Sequence, residues 1–473
     1  MKRNTLAQKL TLGATCLWLG AGAAATAVQA DTLADALVGA YNTSGLLEQN
    51  RAVLRAADED VAQAIASLRP VLSWTSQVTR DFGVSRSNSS GNSAVGSASN
   101  TASLGLSAEL TLFDYGQNRL AIEATKEAVL GTRQTLVAVE QQILLRAVNA
   151  FMEVRRATET VALRQNNLRL ITQELRAARD RFEVGEVTRT DVALAEARLA
   201  ASRSAQTAAQ GDLSVAQEEY RAAVGHAPGN LIAPRSVPQL PPSTAAASAT
   251  AVRTHPEIIA AQYNVSVSEL SIRRAEAAMK PTVTLNGSLG ATQNYDNKNF
   301  SQSGSVSIRT SGPIYQGGRL SSLVRQAMAS RDAQRSALLQ TRIAVEQNVA
   351  NSYVGVQVAR ASRTSSADQV RASQVAYEGV REEATLGART TLDVLNAEQE
   401  LLDARANQIS SVVDEYIAAY SVLAAMGVLT AQQLGLNVQQ YDPASYYNLV
   451  KDAPVQSRQG DQLNRVLRAI GRE

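Results

Sequence analysis

One short segment occurs twice in the chain, and its two copies stand 202 residues apart. Glycine adopts the left-handed backbone conformation at little cost after the last residue of a helix. A threonine followed three residues later by an acidic residue can form a capping box at the start of the next helix. The segment therefore predicts a sharp turn between two helices, made twice by an internally duplicated chain. The matched pairs are Gly185 and Gly387, Thr188 and Thr390, Asp191 and Asp393, and Glu196 and Glu398.

Long helical patterns flank both turns. The pattern before the first turn continues to Phe182, and the pattern before the second continues to Leu386. Each covers about 65 residues, which corresponds to roughly 100 Å of helix. After the second turn, apolar residues recur at every seventh position, which indicates a coiled-coil seam. A compact domain needs no helix of this length. The seam positions are Leu395, Leu402, Ile409, Tyr416 and Leu423.

Two segments instead alternate apolar and polar residues, at about 70–114 and about 281–315, and each predicts a β-hairpin. The predicted loops are Ser85 to Asn100 and Asn294 to Ser303. Strands of about 10–13 residues can cross a bilayer at a tilt. A pair of half-buried hairpins in a soluble sheet is the alternative, and the neighbouring long helices favour the membrane. The predicted apolar positions include Leu72, Trp74, Val78, Leu104, Leu106, Leu110, Val283, Leu285, Leu289, Val306, Ile308 and Ile314.

Glycines mark the exit from each hairpin into the following long helix. Gly116 stands at the first exit, and the adjacent Gly317 and Gly318 stand at the second. We interpret Gly317 and Gly318 as a structural break between strand and helix rather than a nucleotide-binding loop, because no phosphate-binding motif surrounds them.

The first 30 residues predict a secretory signal peptide, with three basic residues, an apolar run and a small-residue cleavage site at Ala30. Its removal leaves 43 basic residues and 43 acidic residues, so the mature chain has no charge excess that indicates nucleic-acid binding. The only cysteine, Cys16, lies within the signal, in a sequence that fits a lipoprotein signal poorly. After the signal no run of 18 apolar residues occurs, so we expect no transmembrane helix but allow transmembrane strands.

The repeat divides the mature chain into two similar parts. We predict a first repeat at 31–225, with one helix from Thr32 to about Leu68, and a second repeat at 254–430. A proline-rich linker is predicted at 226–253, with helix resuming near His255. The remaining residues, 431–473, are predicted to form an irregular C-terminal segment with a short amphipathic helix near its end.

Catalytic and cofactor-binding patterns are missing from the sequence. The two histidines, His226 and His255, stand beside linker residues without clustered acidic ligands. No nucleotide-binding, serine-hydrolase or zinc-protease motif is present. We therefore expect neither an enzyme nor a bound metal or cofactor.

The paired turns, the hairpins, their glycine-rich exits and the His255-Pro256-Glu257 segment together resemble the TolC family of outer-membrane efflux and secretion channels. The most specific parts of the resemblance are Leu386 to Gln399 and Ile314 to Arg319. The resemblance implies a mainly α-helical fold with a membrane β-barrel part. It further implies a homotrimer in which four strands per chain form a 12-stranded barrel, continued by a long periplasmic α-helical barrel.

The resemblance also implies that the helix tips close the periplasmic end. Asp393 and Arg389 match residues that the family uses in this gate, and Thr190 and Asp191 are the candidate bonding partners of Arg389. Asn396 and Ala384 depart from the family pattern, since they replace an aspartate and a tyrosine. Ordinary helix capping is an alternative role for Asp191 and Asp393, and the two roles are compatible.

The same resemblance implies docking to an inner-membrane ABC or RND transporter through a periplasmic adaptor protein, with outer-membrane lipid around the barrel. The chain would then be a passive exit duct from the periplasm. Protein secretion and small-molecule efflux both fit this interpretation. A periplasmic coiled-coil protein that forms no channel is the alternative.

Overall fold

The computed structural model describes residues 30–86, 94–452, 461–462 and 465. The predicted signal peptide lies outside these residues except for Ala30, as does the predicted C-terminal helix except for Arg465. The described residues between 30 and 452 form two similar halves, each with short helices, a β-hairpin and a long helical hairpin. No helix within the described residues is both long and apolar enough to span a membrane.

Four antiparallel strands form one sheet in the order β2-β3-β5-β6. Their bounds are Val71–Arg86 (β2), Ala94–Phe113 (β3), Thr282–Asn294 (β5) and Phe300–Ser311 (β6). The predicted hairpins are confirmed, but the predicted loops are too long, because β2 continues to Arg86 and β3 begins at Ala94. Small polar residues suggested a loop there, and main-chain pairing accommodates them in strands instead. Ile314 lies beyond the end of β6, contrary to its predicted place in the strand.

The register places the apolar side chains of all four strands on one face. Leu72 is opposite Ala108, and Trp74 is opposite Leu106, which is in turn opposite Leu289. This apolar face is uncovered in the chain, since Trp74 is 71% exposed and Val306 is 81% exposed. The other face carries mostly Ser, Thr, Gln and Asn residues. Strands β2 and β6 each pair on one side only, so both edges of the sheet are open within the described residues.

Two long helical hairpins extend from the sheet. The first consists of α3 (Gln117–Glu183) and α4 (Arg189–Val224), and the second of α7 (Arg319–Thr385) and α8 (Thr391–Ala425). Helices α3 and α7 both have 67 residues, which confirms the predicted helix lengths. The offset of 202 residues relates the start of α3 to that of α7 and the start of α4 to that of α8, so neither repeat has an insertion between these points.

The shorter helices differ from the predictions in two places. The helix predicted from Thr32 to Leu68 is two helices, α1 (Leu33–Thr43) and α2 (Gly45–Ala66), because Ser44 is extended and caps α2 through Leu47. The predicted linker contains α5 (Thr244–Thr254), which precedes α6 (Pro256–Ala277). The alanines of α5 bury only small surfaces and form no clear apolar stripe. The remaining elements are β1 (Ala30–Asp31), which pairs in parallel with β4 (Asn230–Leu231), and α9 (Ser445–Val450).

The main apolar core lies where α1, α2 and the C-terminal segment pack on the middle of α3. Leu54, Leu144 and Phe151 are fully buried there. A second cluster joins α5 and α6 to α7 and α8 through Val349 and Val422. Smaller clusters lie near each hairpin tip, so the tips are held by narrow seams rather than by a broad core.

Candidate functional site: the two helical-hairpin tips

Each strand-to-helix exit contains a glycine with a left-handed backbone. Gly116 and Gly318 both have φ of 82°, and each precedes the first residue of its long helix. Gly317 has φ of 56°, and Tyr115, its counterpart in the repeat, also has a positive φ of 52°. Left-handed backbone favours glycine on steric grounds, so these residues set the angle between sheet and helix. The structure therefore places them at the predicted breaks.

The first tip joins α3 to α4. Gly185 has φ of 79°, and its N–H donates to the Phe182 carbonyl at 3.0 Å. Thr188 then caps α4, because the Asp191 N–H donates to its hydroxyl and the Thr188 N–H donates to the Asp191 carboxylate at 2.9 Å. Thr190 lies exposed in the first turn of α4. The capping box predicted here is confirmed.

The second tip repeats this geometry between α7 and α8. Gly387 has φ of 77°, and the Thr390 N–H donates to the Asp393 carboxylate at 3.0 Å. The Thr390 hydroxyl also donates to that carboxylate at 2.8 Å, and the Asp393 N–H donates to the hydroxyl at 3.2 Å. This capping box is also confirmed. Both acidic residues therefore contribute to capping, whatever else they do.

Only the second tip has an arginine in the turn between its two helices. The Nε of Arg389 donates to the Glu383 carboxylate at 2.8 Å, and both side chains are about half exposed. Within the chain Arg389 therefore bonds to its own hairpin and not to Thr190 or Asp191. That hydrogen bond raises the pKa of Arg389 further above its ordinary value. The arginine is charged at every relevant pH.

Asp393 is held in its ionised form. The hydrogen bond from the Thr390 N–H is the largest cause that lowers its pKa below the ordinary value, followed by the Thr390 hydroxyl and the charge of Arg389. Hydrogen bonds that favour a charged group over its neutral form have this effect. The second tip therefore presents a carboxylate and a guanidinium next to each other at neutral pH.

Asn396 connects the two hairpins. Its Oδ1 accepts a hydrogen bond from Arg198 on α4 at 3.1 Å. This contact lies one turn above Asp393 along α8, on an exposed surface. The structure thus brings Asn396 into contact with the first hairpin. Asp191 instead caps its own helix, and Thr190 is exposed.

A buried polar cluster above the tips was not predicted as a site. Glu398, Asn167 and Ser202 are all buried, on α8, α3 and α4 respectively. Asn167 donates to Glu398 at 3.1 Å, and Ser202 donates to Asn167 at 2.8 Å. A sequence signal existed, because Glu398 stands between Val394 and Leu401 on the face that packs against Tyr377. An acidic residue on such an apolar face is uncommon and indicates a specific role.

Comparison with known proteins identifies this architecture. The family described as "Outer membrane efflux protein" matches residues 40–226 and 248–428. The outer membrane efflux protein BepC of Brucella suis biovar 1 (strain 1330) is 34% identical over 446 residues, which cover 94% of this chain and 96% of that protein. The outer membrane protein TolC of Escherichia coli (strain K12) is 25% identical over 424 residues, covering 86% of this chain and 84% of the relative.

A solved structure has the same fold. The Campylobacter jejuni CmeC outer membrane channel superposes with a TM-score of 0.75 at 16% identity, over 89% of each chain. The matched regions of the family include both helical hairpins, both tips and the β-hairpins. The chain therefore belongs to the outer membrane efflux protein family.

Proposed function

We propose that this chain, an outer-membrane channel for efflux or type I secretion, works as a homotrimer whose helical tips form the gate. In this proposal three sheets close a barrel of 12 strands, and the long hairpins continue it into the periplasm. The duct passes cargo to the outside without catalysing a reaction. Membership of the family supports the channel function and the outer-membrane location.

The open-edged sheet is the observation that carries the oligomer, and the family resemblance favours three copies over two. Four strands expose one apolar face, and both edge strands lack a partner within the described residues. An unpaired strand edge in lipid leaves main-chain groups without hydrogen bonds, so a membrane sheet must close. Single-chain membrane barrels have at least about eight strands, so four require further copies. The same exposed face argues against a purely periplasmic coiled-coil protein, because it would meet water.

We assign the gate to the second tip and its neighbours. A three-fold axis would bring three copies of Asp393 together, and like charges that close repel unless cations lie between them. Arg389 is the cation beside that carboxylate, and its fork of donors can reach an acidic group of an adjacent chain. Thr190, Asp191 and Asn396 are the polar groups of the tips that could share it.

We further propose that the tips and the helices above them dock to a periplasmic adaptor and, through it, to an inner-membrane ABC or RND transporter. Exposed apolar residues on α7 support additional contacts beyond the single chain: Leu339, Ile343, Val354 and Val358. In this arrangement 31–225 and 254–430 act as two equivalent units. The segments 226–253 and 431–452 lie around their middle.

Crosslinking in detergent after outer-membrane fractionation tests the assembly. We expect the chain in the outer-membrane fraction and a limiting three-chain species. Leu106→Arg places a charge on the apolar face and should abolish membrane assembly, because a charge facing lipid is costly. Ser107→Arg, one residue away on the polar face, is the matched control and should assemble. A monomer that stays soluble without detergent, or equal behaviour of the two variants, contradicts the proposal.

A further inference from the structure

Glu398 stands at the junction of the two hairpins, about two turns above the second tip. Its side chain is only 3% exposed. It accepts a hydrogen bond from Asn167, which accepts one from Ser202, so a polar chain runs from α8 through α3 to α4. Tyr377 of α7 lies beside it, in the same apolar cluster as Val394 and Leu401. Groups from all four long helices therefore meet at this carboxyl.

Two polar atoms at this junction lack partners. Oε2 of Glu398 and the hydroxyl of Tyr377 are buried and have no hydrogen-bond partner among the described residues. Both side chains line a cavity of about 140 Å³, together with Asn167, Gln374 and Arg405. Since polar cavities of this size hold water, the two atoms can be hydrated in place. A few confined waters solvate a carboxylate less well than bulk water does, so the ionised form is costly here and the protonated form much less so.

The surrounding charges do not neutralise Glu398. Glu174 on α3 repels a carboxylate here, while Arg381 on α7 and Arg198 on α4 attract it from a distance. Arg198 donates to Asn396, and Arg405 of α8 donates to Gln374. Burial is the largest cause and, with Glu174, raises the pKa of Glu398 to about 7 against the opposing hydrogen bond from Asn167. The carboxyl therefore changes its charge within the range of ordinary external pH.

We propose that Glu398 is a positioning residue that couples the proton concentration to the gate. In its neutral form it holds the two hairpins of one chain together, and in its ionised form it favours their separation. The proposal rests on the function proposed above, in which the hairpin tips form the gate. It adds a residue that lies outside the tip turns and acts through the seam between the hairpins.

The direction follows from proton linkage. When the hairpins are packed, the Glu398 carboxyl keeps its proton above pH 4.5, which is its ordinary pKa, and releases it only near pH 7. A carboxyl whose pKa is raised in the packed state favours that state most in acid, and this contribution is lost progressively between the two pKa values, until the loss is complete above about pH 7. Separation of the hairpins admits water to the carboxylate, so ionisation favours separation. The tips should therefore be more firmly closed at pH 6 than at pH 8.

The duplication supplies a matched control. Glu196 occupies the equivalent position in the first repeat, 202 residues earlier. Its side chain is 51% exposed and pairs with Arg179 at 2.6 Å. Glu398 has the equivalent arginine, Arg381, but is buried and bonded to Asn167 instead. The same residue type is therefore solvated in one hairpin and enclosed in the other.

Single-channel recording in planar bilayers between pH 5 and 8.5 tests the proposal. We expect the open probability of the parent to rise from pH 5 and to level off above about pH 7, where both states are ionised. Glu398→Gln, which resembles the neutral acid, should remove this transition and stay at the acid level. Glu196→Gln should keep it. Asp393 does not titrate in this window, because its pKa lies below the ordinary value.

Two further variants move the pH at which the open probability levels off, and they move it in opposite directions. Glu174→Gln removes a repelling charge and should lower it, whereas Asn167→Ala removes a stabilising donor and should raise it. If Glu398 had only a structural role, these two variants would not shift this pH in opposite directions. A channel with a flat profile, or a transition that survives Glu398→Gln unchanged, overturns the inference and leaves the channel function intact. Absence of any channel at all pH values would instead overturn the proposed function itself.

Discussion

The two hairpin tips have the same backbone but different surface chemistry. Both turns pass through a left-handed glycine, and both following helices start with a Thr–Asp capping box of nearly equal distances. The differences begin at side chains that the turn does not need. Arg389 stands where the first tip has Val187, and Glu383 stands where it has Arg181.

The comparison separates residues that make the turn from side chains that the turn does not require. The glycines and threonines are required wherever a helix reverses in this way, so they recur in both copies. The ion pair of Arg389 and Glu383 occurs only at the second tip. The buried carboxyl of Glu398 likewise has only a solvated counterpart, Glu196. The duplicated helices thus supply a scaffold, and the second hairpin carries the additional electrostatics.

Removing the unmatched arginine should have the largest effect. Arg389→Ala deletes the cation beside the Asp393 carboxylates, so the closed tips should repel and separate. We expect a several-fold rise in the open-channel fraction and greater sensitivity of cells to bulky antibiotics. Single-channel conductance and antibiotic susceptibility measure these effects. Val187→Ala at the equivalent position is the control and should behave like the parent.

A second variant tests which partner of Arg389 keeps the gate closed. Glu383→Gln removes the acceptor that Arg389 uses within its own hairpin. If Arg389 closes the gate by reaching an adjacent chain, this variant should leave conductance unchanged or lower it. A rise equal to that of Arg389→Ala would show that the bond within the hairpin is the one that closes the channel.

Neutralising either capping acid should have a smaller effect than removing Arg389, but the effect should still differ between the two tips. Asparagine still caps a helix, so Asp393→Asn and Asp191→Asn should both assemble normally. Charge at a narrow constriction sets ion selectivity. We expect Asp393→Asn to reduce the preference for cations a few-fold and to weaken block by multivalent cations. Reversal potentials in a salt gradient measure this. An equal loss in Asp191→Asn would place both acids at the constriction.

Much of the fold could be predicted because local patterns determine it. The alternation in β3, the 67-residue helices and the paired turns all follow from residue spacing and from glycine and threonine chemistry. The errors occurred where the local pattern is weak. Ser44 interrupts an otherwise continuous apolar pattern, and α5 is nearly all small residues.

The candidate site was only partly predictable for a different reason. The capping acids are visible in the sequence because their partners are three residues away. The link of Asn167 to Glu398 joins residues 231 positions apart, and its meaning depends on burial. The same sequence pattern gives an exposed ion pair at Glu196. Only the packing of α3 and α4 against α8 distinguishes these two glutamates.

The smallest effect should come from the shared caps. Thr188→Ala and Thr390→Ala each remove the hydroxyl that accepts from the third helical N–H, at a cost of about 1 kcal/mol. This corresponds to roughly five-fold faster amide exchange in the first turn of each helix. Hydrogen exchange at 189–193 and 391–395 measures it, with Thr→Ser at each position as the control. Because the two boxes have nearly the same distances, the two alanine variants should lose equal protection. A smaller loss at Thr390 would mean that the neighbouring Arg389–Glu383 pair also stabilises the second turn, so that the side chains we assign to the gate would have a structural role as well.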